Sequence, residues 1–322
     1  MLSGLSASKE CSAKQKMGNL VYIHKGYSWY VPLALRNGRR FYGRNVHYIG
    51  DAYGCFVARV LGVRAHRLKD YHKSADKFSK IYRHHSNLGY AFELFCIQRW
   101  FVLSEFLQTT GMNSCVYLDT DVLLTQNLSE LTRQTAQFGM VFTGYSAHVC
   151  FINQSAMLCE LTDFINSFYL DVNNEQLLES MHKSMVERAG SGGVSDMDLF
   201  YMFREKQPTS AGSFPEIFGQ SPIDGSLADT RGFKDDGRGF KKLIWNGGRP
   251  SAVTGDGKII LFAALHHQGK AKSIMNENYR KLSKRFFVSS SLVCFSLNIF
   301  FKMVSKIWKL LCTAPTLQHH KL

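Results

Sequence analysis

The sequence predicts an α/β fold with a mixed, mostly parallel sheet, and three observations carry that expectation. Short apolar runs of strand length, residues 19–24, 46–50 and 114–118, alternate with segments whose apolar residues recur at helical spacing. No fixed-period repeat interrupts the alternation. An apolar share of 45% over 322 residues supplies a substantial core, and six prolines leave little for a Pro-rich linker.

Taken in order, the ordered chain is expected to begin near Asn19. Asn19-Leu-Val-Tyr-Ile-His24 reads as a buried strand, and residues 30–36 as a helix with Pro32 in its first turn. Val46-His-Tyr-Ile-Gly50 is a second strand closed by Asp51, and residues 55–61 suggest a short helix leaving it. Residues 86–108 carry Leu94, Ile97, Phe101 and Leu103 at helical intervals, and lead into a third strand at 114–118. Further strands are expected at 139–143 and 148–152, and helices at 156–170, 174–188 and 196–204. Residues 205–257, rich in Gly, Ser and Asp, give no clear pattern before a strand at 258–265. In such a sheet, ligands bind at the carboxyl ends of the strands.

Two motifs carry chemistry. Cys115-Val-Tyr-Leu-Asp119-Thr-Asp121-Val-Leu-Leu124 sets two carboxylates between apolar runs. If the segment is extended, both project to one side. Unpaired carboxylates are costly in apolar surroundings, and a hard divalent cation such as Mn²⁺ or Mg²⁺ removes the conflict. The motif alone also reads as a capped turn; its apolar flanks favour the metal. Downstream, His266, Gly269 and Lys272 form His-x-x-Gly-x-x-Lys after a strand. A neutral imidazole completes a carboxylate metal site, a glycine lets backbone approach a diphosphate, and a lysine supplies a point charge for it. Alone, this loop also reads as a solvated basic turn.

Together the two motifs resemble GT-A-fold nucleotide-sugar glycosyltransferases, in motif layout the retaining family that includes glycogenin and bacterial lipopolysaccharide galactosyltransferases. The resemblance spans residues 19–275 and includes Gln98-Arg99-Trp100 before the Asp-x-Asp strand. It implies a Rossmann-like nucleotide-diphospho-sugar transferase fold over 19–279, with Asp119, Asp121 and His266 as metal ligands. It implies Gly269 and Lys272 at the diphosphate, and Arg99 at the donor sugar or diphosphate; an ordinary helix-surface ion pair is the other reading of Arg99. The expected partners are a nucleotide diphosphate sugar donor and a glycan or lipid-linked acceptor. The family's Pro-Trp after the lysine is replaced by Ser273-Ile274, and its Phe-Asn-x-Gly strand by Cys150-Phe-Ile-Asn153-Gln. Donor identity and stereochemical outcome therefore lie outside what the resemblance implies.

Ser195-Asp196-Met-Asp198 opens a helix, with Ser195 as N-cap and Asp198 placed against the helix dipole. The resemblance offers a rival role, Asp196 hydrogen-bonding sugar or acceptor. His148 reads as a satisfied core histidine near a strand that, with Asn153, approaches the acceptor side. His84-His85 and His319-His320 read as surface.

The net charge of +14 is concentrated in two places. Residues 36–83 hold twelve Lys/Arg against three Asp/Glu, and residues 280–322 hold eight against none. No base-stacking or groove-reading motif accompanies them, so phosphates or anionic lipid, and no nucleic acid, are expected. Residues 280–322 read as a basic amphipathic segment lying in an anionic membrane interface. Residues 1–18 read as a disordered tail without a secretory h-region, and the eight cysteines show no CxxC pair. Reduced thiols and a cytoplasmic place, peripheral to the inner face of a membrane, are the expectation. The rival classes are a non-catalytic carbohydrate-binding or scaffold protein that keeps the fold, and a metal-dependent phosphoester hydrolase.

Overall fold

A computed structural model describes residues 18–284 except 145, 219 and 220. The expected N-terminal tail, apart from its last residue, and the amphipathic segment from 285 onward lie outside the described residues.

The chain opens with β1 (Leu20–His24), α1 (Val31–Tyr42), β2 (Val46–Gly50), α2 (Ala52–Val60) and β3 (Arg64–Arg67). It continues through α3 (Lys73–Ser79), α4 (Tyr90–Thr110), β4 (Cys115–Leu118), β5 (Val122–Leu124) and α5 (Ser129–Gln134). Then follow β6 (Met140–Thr143), β7 (Ser146–Ile152), α6 (Ser155–Leu170), α7 (Glu175–Ala189) and α8 (Asp196–Lys206). The remainder is β8 (Ala211–Ser213), α9 (Phe214–Phe218), β9 (Leu243–Asn246), β10 (Arg249–Val253), β11 (Ile259–Leu261), β12 (Ala264–His266) and α10 (Met275–Lys284).

A seven-stranded sheet runs β3-β2-β1-β4-β7-β6-β8. The β3-β2-β1-β4 half is parallel, β7 is antiparallel to both neighbours, and β8 is parallel to β6. This is the mixed, largely parallel α/β sheet that the sequence predicts. β1, β2 and β4 are buried on both faces, which is why they read as unbroken apolar runs. The sequence misses β3 because Arg-Ala-His-Arg, an edge strand, is half-exposed and has no apolar run to betray it.

One core packs α4, α6 and α8 against the sheet, the other α1 and α2 against its opposite face. α4 buries Trp100, Phe101 and Phe106 and is apolar nearly all round, as a helix sandwiched between layers must be. Pro32 sits in the first turn of α1, as expected. Asp51 caps α2 through Gly54 N–H (2.7 Å), while its other oxygen accepts Gly26 N–H (2.8 Å). One carboxylate thus ties the loops after β1 and β2 together at the carboxyl edge of the sheet.

Three expectations are corrected. Asp119 to Asp121 are not extended: the chain turns there, Val122 N–H returning to Asp119 O (3.1 Å), because β5 leaves the main sheet to pair with β12. The single strand expected at 258–265 divides, β11 joining β9 and β10 while β12 runs antiparallel to β5. The boundary expected between Tyr279 and Arg280 falls inside α10, whose Leu282 is buried and whose carbonyl there accepts from Arg40 (2.7 Å). Cys55, Cys96, Cys115, Cys150 and Cys159 form no disulfide among the described residues. Among the described residues, no helix is long and apolar enough to cross a membrane.

Candidate active site

The β5–β12 ladder sets Val122 opposite His266, and His267 N–H donates to Asp121 O (2.9 Å). A strip at 222–227 runs beside β12, with Asp224 N–H on Ala264 O (3.0 Å) and Leu227 N–H on His266 O (3.0 Å). These ladders bring a loop more than a hundred residues downstream onto the turn after β4. Asp119, Asp121 and His266 each offer a ligand atom, all within 4.8 Å of one another.

Asp119 is held from the helical side. Its Oδ1 accepts from Arg99 Nη1 (2.7 Å) and from the Tyr117 hydroxyl (2.6 Å). Arg99, on the buried face of α4, reaches with Nη2 to Asp196 Oδ2 (2.6 Å), which also accepts from Trp100 Nε1 (3.0 Å). The guanidinium therefore clamps two carboxylates, and the surface ion-pair reading of Arg99 is set aside. Burial pushes the Asp119 carboxyl up, and Asp121 adds to it, while Arg99 opposes them.

Asp121 is held from the opposite side. Lys272 Nζ lies 2.7 Å from Oδ2, and His266 Nε2 3.6 Å from Oδ1. Burial works against ionisation here too, but His266 and Lys272 outweigh it and hold the carboxyl well below the usual range. Lys272 rises from a 3₁₀ turn (Gly269–Ile274) and lies 5.6 Å from the centre of the Tyr30 ring. Gly269 starts that turn at φ +56°, a conformation a side chain would strain.

The His266 ring is fixed. Nδ1–H donates to Gly225 O (2.7 Å), which turns Nε2 toward Asp121, and the ring stacks on His148 at 3.8 Å between centroids. Burial lowers the proton affinity of this imidazole, yet Asp121 more than restores it. His148 bonds Asp224 O (2.9 Å) through Nε2 and Ser146 Oγ (2.9 Å) through Nδ1, the satisfied core histidine expected. Asn153 instead lies at the far end of β7, donating to Thr135 O and Phe138 O, away from the site.

Two carboxylates and an imidazole whose Nε2 faces them suit a hard divalent ion, and their ligand atoms lie within 4.8 Å of one another. Charge points the same way. Asp119, Asp121 and Asp196 face Arg99 and Lys272, with His266 beside Asp121, so the three carboxylates outnumber the two fixed cations and leave room for a divalent ion.

Ser195 is the N-cap of α8, in a capping box with Asp198, as the sequence suggests, and Asp196 turns inward beneath it. Sequence reading misses His24, whose Nδ1 meets Thr120 Oγ1 (3.0 Å) and whose Nε2 meets Ser28 Oγ (3.1 Å). Its place at the carboxyl end of a predicted parallel strand was the available signal. It also misses Asp224 and Lys241, a buried ion pair (2.6 Å) in the unpatterned stretch, for which no local signal exists.

No protein-family model and no curated protein sequence matches the chain. Solved structures similar to it are glycosyltransferases. GlyE of Streptococcus pneumoniae is 14% identical, with a TM-score of 0.38 over 66% of this chain and 48% of that one. The PaToxG glycosyltransferase is 10% identical, TM-score 0.38, over 59% and 68%. The bifunctional glycosyltransferase WbbM is 9% identical, TM-score 0.45, over 85% and 52%. The chain spans about half the length of GlyE and of WbbM.

Proposed function

We propose that this chain transfers a sugar from a nucleotide diphosphate donor to a glycan or lipid-linked acceptor, with Mn²⁺ or Mg²⁺ held by Asp119, Asp121 and His266. The observation that carries the reading is the convergence of those three side chains and Lys272 beyond the carboxyl end of β4. Once bound, the ion supplies Lewis-acid stabilisation of a departing diphosphate. Lys272 adds a point charge on the same flank, worth most when negative charge develops on the leaving group. Arg99 orients Asp119 and Asp196 together. Both Asp196 contacts fall on Oδ2, so Oδ1 is the atom available to a sugar or acceptor hydroxyl.

The test is release of nucleoside diphosphate from a panel of nucleotide sugars, with and without Mn²⁺. Metal-dependent release supports transfer. Absence of release from every donor points to a binding module, and cleavage of simple phosphoesters without a sugar nucleotide points to a hydrolase.

The proposal extends to a place on the cytoplasmic face of an anionic membrane, and rests there on the sequence of 280–322 alone. Because α10 packs on α1 through Leu282, the truncation that tests it should end after Lys284. Equal pelleting of full and truncated chains with anionic vesicles would sink that part.

A further inference from the structure

The stretch at 222–241, which no motif of the sequence singles out, is built around the back of the candidate metal ligand. Asp224 is fully buried, and its Oδ1 pairs with Lys241 Nζ at 2.6 Å; the lysine side chain is itself only 6% exposed. Lys241 is fixed in turn by its own N–H on Leu227 O (2.9 Å) and by the ring of Phe233, 4.4 Å from Nζ. A buried ion pair is costly to assemble, so its presence asks for something beyond stability. Here the second carboxylate oxygen and two successive carbonyls all address the two stacked histidines. Asp224 Oδ2 accepts His266 N–H (3.2 Å), Asp224 O accepts His148 Nε2–H (2.9 Å), and Gly225 O accepts His266 Nδ1–H (2.7 Å).

We propose that Asp224, anchored by Lys241, is a positioning residue: its carboxylate holds the His266 backbone, and by fixing the strip it fixes the Asp224 and Gly225 carbonyls that set the ring plane and tautomer of His266 for a metal ion. The proposal rests on the metal reading given above. Asp224 does not reach the ion's donor set; it acts through His266, as the partners behind metal-ligating histidines do. Lys241 cancels the Asp224 charge, so the anchor adds no further negative charge behind the Asp119–Asp121 pair.

Two double variants of the full chain separate positioning from packing. Asp224→Asn with Lys241→Met drops the ion pair but keeps an oxygen for His266 N–H. Asp224→Ala with Lys241→Met drops both. Mn²⁺ binding, read from the loss of the free-ion electron paramagnetic resonance signal, is expected to stay near wild type in the first and to weaken about 10-fold or more in the second. Transfer by the second should recover at high Mn²⁺. Equal binding by the two folded variants would overturn the positioning role. A third variant, His148→Phe, leaves the ion pair whole, keeps a flat ring beside His266 and removes the donor to Asp224 O. It should weaken Mn²⁺ binding severalfold, and wild-type affinity in it counts against the proposal even where the double variants do not fold. Wild-type protein that binds no Mn²⁺ would remove the metal reading itself, a result distinct from bound metal and indifferent variants.

Discussion

The two walls of the site hold their carboxylates in opposite ways. Asp119 is gripped by the helical wall, where Arg99 spans from α4 to Asp196 on α8. Asp121 is gripped by the loop wall, where His266 ends β12 and Lys272 comes from the turn after it. The helical grip is a planar fork locked among Trp100 and Tyr117, while Lys272 is a single flexible charge that remains about a third exposed. One wall is therefore a fixed scaffold. On the proposed function, Lys272 in the other is the charge that would turn from Asp121 to a diphosphate.

That contrast is open to direct attack. The largest effect should come from Asp119→Ala and Asp121→Ala, each lowering transfer by about 10²–10³-fold or more. Stability should split them: Asp121→Asn, which removes a charge that His266 and Lys272 stabilise, is expected to cost more in urea unfolding than Asp119→Asn, which removes a charge that burial opposes. Equal costs would erase the distinction between the walls. Next, Lys272→Ala should lower kcat by about 10²-fold with a smaller change in KM, since its charge serves the leaving group. An unchanged kcat would return that loop to a solvated turn. Arg99→Lys should follow, with about a 10-fold loss of kcat and a lower Tm, because an ammonium cannot fork between Asp119 and Asp196. Full activity in that variant would make the clamp dispensable.

The smallest effect lies outside both walls and serves as a reference. His47 on β2 stacks on His66 of β3, and burial, helped by His66 and Arg64, pushes its imidazole down to about 4. The unfolded chain, with an ordinary imidazole near 6.5, binds that proton first. Stability from this group is thus complete above about pH 6.5 and is lost as the pH falls toward 4. The fall of Tm over that window should be shallower in His47→Leu, and an identical slope would refute the assignment.

The contrast also explains what was legible. Strands buried on both faces announce themselves as apolar runs, so β1, β2, β4 and β7 were readable, and with them the ends where ligands bind. The helical wall followed, since Arg99 lies in a long apolar run of helical spacing and Asp196 directly follows an N-cap serine. The loop wall showed only His266, Gly269 and Lys272. Its supports, Asp224 and Lys241, owe their roles to a strip paired beside β12, and such pairing leaves no periodic trace in a Gly- and Ser-rich stretch. The turn at Thr120 was hidden for a related reason: flanking apolar runs look continuous although they serve two sheets.

The β5–β12 ladder has a kinetic side. It joins segments far apart in the chain, with His267 bonded to Asp121 across 146 positions. Closing so long a loop costs entropy before any ladder bond repays it, so this junction should form late, after the parallel sheet has nucleated. A ligand that needs both sides of the junction cannot bind while the loop is open. Metal and donor would then act as a clasp on the finished chain, slowing its opening, and protection from proteolysis within 222–274 would report their arrival.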